Sequence, residues 1–228
     1  MKIALRIGGL LLSALLAILL FGPRETFERG DGFDAATLPA DLDAYLAEAE
    51  AAIPGITPGG EKKIVWAGAP GERTAFSLVY LHGFSASKEE IRPVPDGVAE
   101  ALGANLYYAR FAGHARDGAA LASVSAGDWW RDALEALEIG RRIGERVIVI
   151  GTSTGATMAT IALADPDAAR NVAGLVAISP NYAVKGAPLA VLTAPLARQI
   201  LPLAFGAERS WEPLNEAQAK WWTTSYPL

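Results

Sequence analysis

The stretch VIVIGTSTGAT, residues 147–157, constrains the fold of this chain more than any other. Four branched apolar residues read as a strand buried on both faces, and a Gly-Thr-Ser-Thr-Gly turn leads from it into a helix-like segment. A strand, a tight turn carrying G-x-S-x-G and a helix form the context in which this short motif has chemical meaning. The turn presents Ser153 in a strained conformation at the carboxyl end of a sheet, with its hydroxyl in the crevice. Gly151 and Gly155 permit this, because a Cβ at either place would collide with the neighbouring strand and helix. The helix that starts there aims unpaired N–H groups and a positive dipole end at the same spot. A developing oxyanion is favoured by that arrangement, and the amide of Thr154 is its natural first donor.

Two other readings of the turn compete. Glycine-rich strand-to-helix turns also bind phosphate, but a P-loop needs a longer glycine loop and a Lys-Ser/Thr pair, and a dinucleotide turn needs G-x-G-x-x-G; GTSTGAT offers neither. A serine with a purely structural place in the turn is the second.

The rest of the chain alternates as a parallel sheet requires. Apolar positions recur at helical spacing from Asp41 to Ile53, with Asp41 as N-cap. KKIVWAG and TAFSLVYLHG are strand-like and joined by a turn at Pro70-Gly71, which predicts a β-hairpin. Residues 88–102 are helix-like with Pro93 and Pro95 near the start, NLYYARF is a strand, 128–143 an amphipathic helix, RVIVIG a strand, 154–164 a helix and VAGLVAIS a strand. Consecutive apolar strands separated by such helices predict an α/β fold with helices on both faces of a mostly parallel sheet. Beyond Ser179 the chain becomes a Pro-punctuated apolar region, 188–205, and a Trp-rich tail, with no further strand expected. The organisation expected is 1–22 anchor or signal, 23–40 linker, 41–187 core and 188–228 a partial lid region.

Composition narrows the chemistry. The chain has no cysteine and two histidines, His82 and His114, so thiolate chemistry is ruled out and no metal site or other cofactor is expected. A net charge of −5 without a Lys/Arg block gives no electrostatic footprint for nucleic acid. Lys2 and Arg6 precede an uncharged apolar run, Ile7 to Phe21, in the manner of a secretory signal. No A-x-A cleavage signature follows, which favours an uncleaved membrane anchor over a cleaved signal. The basic flank then stays in the cytoplasm and the rest of the chain, membrane-anchored or secreted, lies on the other side.

Three stretches in order, LVYLHGFSAS at 78–87, NLYYARFAGHARDG at 105–118 and VIVIGTSTGAT at 147–157, resemble the α/β-hydrolase family, most closely its monoacylglycerol-lipase-like and serine-aminopeptidase-like branch. The similarity covers roughly residues 60–225. It implies Ser153 as nucleophile, the amide of Phe84 as second oxyanion donor opposite Thr154, and His82 packed beneath that loop. It further implies a structural role for the Arg110-to-His114 segment and a helical lid over 188–222. The activity implied is hydrolysis of a small-molecule ester through an acyl-enzyme, with amide or peptide hydrolysis as the alternative.

The family order is nucleophile, acid, histidine, whereas both histidines here precede Ser153. A serine hydroxyl needs a base within hydrogen-bond reach. His114 and His82 are the alternatives within the chain. None of Asp165, Asp167, Glu208, Glu212 and Glu216 follows a strand, and none is assigned to a triad. Two further strand-helix units, about 60 residues, would restore both partners, so truncation is expected, with feeble activity of the 228 residues alone. Two further readings are a non-catalytic hydrolase-like binding protein, and an envelope protein whose Trp211, Trp221, Trp222 and Tyr226 meet the membrane.

Overall fold

The computed structural model describes residues 2–24, 26–30, 32–183 and 194–227; Leu189, Val191 and Leu192 of the expected lid lie outside them. The apolar N-terminal run forms the helix α1, Lys2–Phe21. Among the described residues no helix is long and apolar enough to cross a membrane, which corrects the expected transmembrane anchor. Within α1 only the 15 residues 7–21 follow the charge of Arg6, against about 20 consecutive apolar residues for a span.

The expected linker is partly structured: a 3-10 turn at Ala35–Thr37 starts on the Asp34 side chain, and Leu38 is buried. Helix α2, Leu42–Ala51, begins where the Asp41 carboxylate accepts the Ala44 amide at 2.9 Å. Strands β1 (Lys63–Val65) and β2 (Thr74–Leu81) follow. The prolines at 93 and 95 confine the next helix, α3, to Val94–Leu102, after a 3-10 turn at Lys88–Glu90. Then come β3 (Asn105–Tyr108), a short α4 (Gly118–Ala122) and α5 (Ala126–Ile143). Ser125 and Asp128 close a capping box at the start of α5, satisfying two of its orphan amides. Strand β4 is Gly144–Thr152, α6 Thr154–Leu163 and β5 Val172–Ile178.

The sheet has the order β1-β3-β2-β4-β5, with β2, β3, β4 and β5 parallel and β1 antiparallel on β3. The expected β1-β2 hairpin is therefore wrong. Strand β2 carries β3 on one side and β4 on the other, from Ser77↔Asn105 to Leu81↔Gly151, and no edge of it is left for β1. Side chains alternate across the sheet: Val79, Leu81, Val147 and Val149 join a core with α5 and α6, while Leu78, Tyr80, Leu106 and Ile150 join Ala99 of α3 on the other face. Both faces are thus covered, as parallel strands require. At the edge, β5 leaves Val176 half exposed.

The chain divides into two compact units, 28–182 with 210–227, which holds the sheet, and 1–27 with 183–209 and 228. The second contains α1 and α7, Ala197–Phe205, on which Ile200, Leu203 and Phe205 are exposed. Against expectation, strands do follow Ser179: β6 (Glu208–Ser210) and β7 (Ser225–Pro227), with α8, Glu216–Trp221, between them.

Candidate active site

Ser153 joins β4 to α6 at φ 49°, ψ −113°, a conformation rare for any residue with a Cβ. Two contacts hold it: its amide donates to Ile178 O at 2.8 Å and its carbonyl accepts the Thr157 amide at 3.0 Å. A Cβ on Gly151 would lie 2.6 Å from Ala156 Cα, so the turn closes only with glycine there. The Ser153 side chain caps nothing on α6 and is partly exposed, which leaves its hydroxyl to the crevice.

Residues 82–84 form the facing loop. Gly155 packs directly against the carbonyls that end β2, bringing the start of α6 beside His82. His82 is fully buried. Its Nε2 accepts the Phe111 amide at 3.1 Å, so the ring proton sits on Nδ1, which donates to Gly83 O at 2.8 Å. The Gly83 carbonyl is thereby drawn inward, and the N–H at the far end of the same planar trans peptide, that of Phe84, points the opposite way. The amides of Phe84 and Thr154 donate to no acceptor among the described residues. Burial first, and the nearby His114 second, hold the His82 imidazole well below its ordinary range.

His114 lies against His82, ring centroids 4.8 Å apart, inside a box closed by Phe84, Phe111 and Trp129. Its Nδ1 donates to Ala112 O at 3.1 Å, and its buried Nε2 has no partner among the described residues. Burial pushes its pKa down to about 4. Both rings are neutral at pH 7 and point their protons at backbone carbonyls. Arg110 of the same segment makes a buried two-point contact with Glu50, Nε to Oε2 at 2.7 Å and an Nη to Oε1 at 2.8 Å.

The Trp-rich tail packs on the loop. Thr223 donates its amide to Ser85 O at 2.7 Å and its hydroxyl to Arg116 O at 2.8 Å, and the Tyr226 ring meets Phe84 edge-on, centroids 5.1 Å apart. Sequence reasoning missed other polar neighbours. Asn181, just past β5, donates to Thr154 Oγ1 at 3.1 Å and accepts from Thr157 Oγ1 at 2.5 Å. Glu90 accepts the Gly83 amide at 2.8 Å. Spacing gave no signal for either, although a polar residue just beyond a strand's carboxyl end sits on the ligand edge of such sheets. Among the described residues no group of three or more His, Asp and Glu side chains could hold a metal ion.

The start of α6 thus sets the Ser153 turn against the end of β2 and the 82–84 loop, and the amides of Phe84 and Thr154 there have no acceptor among the described residues. The model of the alpha/beta hydrolase family matches residues 78–225. Among solved structures, one from a study of LipS and LipT, two metagenome-derived lipolytic enzymes, is 21% identical with a TM-score of 0.55, over 75% of this chain and 65% of that one. A bacterial heroin esterase is 23% identical over 72% of this chain and 56% of that one, with a TM-score of 0.32. The chain thus spans less than two thirds of the length of either structure. No curated protein matches it. The family match runs from β2 through the Ser153 turn to β7, and on that ground the chain belongs to the alpha/beta hydrolase family.

Proposed function

We propose that this hydrolase cleaves carboxylic esters by way of an acyl-enzyme on Ser153. The observation that carries the reading is the backbone of Ser153 at φ 49°, ψ −113°, a strained serine facing the open amides of Phe84 and Thr154. Ser153 Oγ attacks the carbonyl carbon, the two amides hold the oxyanion, the alcohol leaves, and water then releases the acid. The proton of Ser153 Oγ needs an acceptor, and both histidines are poor ones: Nε2 of His82 already accepts the Phe111 amide, and burial pushes the His114 pKa down to about 4. Esters are favoured over amides by the apolar composition of residues 188–205 in the sequence, which suits an acyl chain better than a peptide.

Purified chain and Ser153→Ala are compared with a fluorophosphonate probe and a short-chain nitrophenyl ester. The oxyanion donors alone sustain roughly 10³-fold catalysis over water in serine hydrolases with incomplete triads. Slow labelling that requires Ser153, with feeble turnover, is therefore expected. Equal labelling of the two proteins overturns Ser153 as nucleophile, and an unlabelled but folded wild type favours a hydrolase-like binding protein. We infer further that α1 directs the chain out of the cytoplasm, since Arg6 precedes a run of signal-like length whose Leu10, Leu12 and Leu20 are uncovered. A periplasm-dependent reporter fused after residue 40 should be active, and inactive once residues 1–22 are removed.

A further inference from the structure

We propose that Glu90 is a positioning residue: its carboxylate ties Gly83 of the oxyanion loop, through Tyr80, to Thr152 beside Ser153, and taking up a proton loosens that tie. The catalytic consequence rests on the reading of Ser153 as nucleophile; the tie itself does not.

One carboxylate oxygen, Oε2, accepts the Gly83 amide at 2.8 Å and the Tyr80 hydroxyl at 2.8 Å. Tyr80 has one proton, committed to Glu90, so the 3.1 Å contact between its oxygen and Thr152 Oγ1 is donated by the threonine. The chain of bonds therefore runs from Thr152 through Tyr80 to Glu90, with Gly83 joining at the same oxygen. It links the two backbones that carry the oxyanion donors, one residue from Phe84 on one side and two from Thr154 on the other. Gly83 is shaped to this carboxylate, since a Cβ there would lie 2.7 Å from Glu90 Oε1. His82 fixes the carbonyl of Gly83 and Glu90 fixes its amide, so both peptide planes around Gly83 are set.

Among the described residues no cation offsets the carboxylate. Lys88 donates to the carbonyls of Gly59 and Glu61, and Arg92 pairs with Glu89 and Asp96. The other ionisable groups around it are Tyr80 of β2, His82 just after it, and Tyr108, which donates to Asp96. His82 is neutral, and Tyr80 and Tyr108 are both held above their usual range. Burial accordingly raises the Glu90 carboxyl above the ordinary glutamate range, against the Gly83 and Tyr80 bonds that lower it. A group that merely filled space would be more stable here as glutamine. Its charge strengthens the grip on the Gly83 amide, and protonation removes that charge while leaving the shape.

The test uses the isotopically labelled chain. From about pH 4 to pH 8, the Gly83 amide proton is expected to titrate with a midpoint above that of an ordinary glutamate, and Glu90→Gln, which keeps size and folds like wild type, should abolish the titration. Thr152→Val should move the midpoint, because it removes the far donor, and Glu90→Ala should speed exchange of the Phe84 amide at least tenfold. A Gly83 amide that does not titrate, or a midpoint indifferent to Thr152→Val, overturns the tie. Where ester turnover depends on Ser153, Glu90→Gln should lower kcat about tenfold at unchanged KM and flatten the acid limb of the pH profile; unchanged kcat overturns the catalytic part. If Ser153→Ala turns over like wild type, the nucleophile reading fails while the amide titration still decides the tie.

Discussion

Gly155 approaches the carbonyl oxygen of Leu81 so closely that a methyl group on it would lie 2.1 Å from that oxygen and 2.5 Å from the carbonyl oxygen of His82. These are backbone atoms at the end of a central strand, and they cannot swing aside as a side chain does. The contact sets how near α6 comes to β2, and with it the gap between the Thr154 and Phe84 amides. Gly155→Ala is expected to cost about 3 kcal/mol or more, a fall in melting temperature of roughly 6–12 °C, measured by thermal denaturation. A variant melting like wild type would show that helix and strand can move apart freely.

The neighbouring serine should respond in the opposite direction. A non-glycine residue in such a region costs of order 1–3 kcal/mol, and the Ser153 side chain caps nothing on α6 that its loss would forfeit. Ser153→Gly should therefore raise the melting temperature by roughly 2–4 °C, whereas Ser153→Ala, which keeps the Cβ, should gain little. Equal melting of the two would mean that no strain is stored at the turn.

Periodicity and turn chemistry are local, and the features they govern were legible: the Asp41 cap, the alternation of β2 to β5 with helices, and the Ser153 turn. What they did not reach was pairing. Pro70-Gly71 looks like a hairpin turn because residues 63–81 alone cannot reveal that both edges of β2 are taken by strands starting at Asn105 and Gly144. The eight residues of β2, apolar except for Thr74 and Ser77, against three residues in β1 are the hint, since long apolar strands sit centrally in parallel sheets. The site divides likewise. Ser153, Thr154, Gly151, Gly155 and the His82-to-Phe84 loop sit in contiguous motifs. Glu90 and Asn181 act on residues 7 to 27 positions away, across loops whose course only the folded chain defines.

The buried pair Arg110 and Glu50 anchors the segment that leads to His114. Burial pulls the Glu50 carboxyl upward, but the hydrogen bonds and charge of Arg110 outweigh it and hold the group below its usual value. Arg110→Met strands a carboxylate that also accepts the Lys62 amide at 3.0 Å, and should cost about 3–5 kcal/mol. Pairing it with Glu50→Gln should recover part of that loss, because the uncompensated charge disappears. Urea denaturation of the two single variants and the double variant measures the coupling, and strictly additive losses would mean the pair contributes nothing as a pair.

His114 makes the fold acid-sensitive. Its folded pKa of about 4 lies below the unfolded value near 6.5, so between those values the unfolded chain binds the extra proton. The stability it contributes is complete above about pH 6.5 and lost as pH falls toward about 4, at about 1.4 kcal/mol per pH unit and about 3 kcal/mol in all. His82 is displaced in the same direction by the same burial and steepens the loss. Between pH 6.5 and pH 5 the unfolding free energy should drop by at least about 2 kcal/mol. His114→Phe, which suits the ring of Phe84, Phe111 and Trp129, should reduce that drop without abolishing it, since His82 remains. Urea midpoints at the two pH values decide it: a wild type as stable at pH 5 as at pH 6.5 would mean that His114 reaches water and keeps an ordinary pKa, which would also restore it as a candidate base for Ser153.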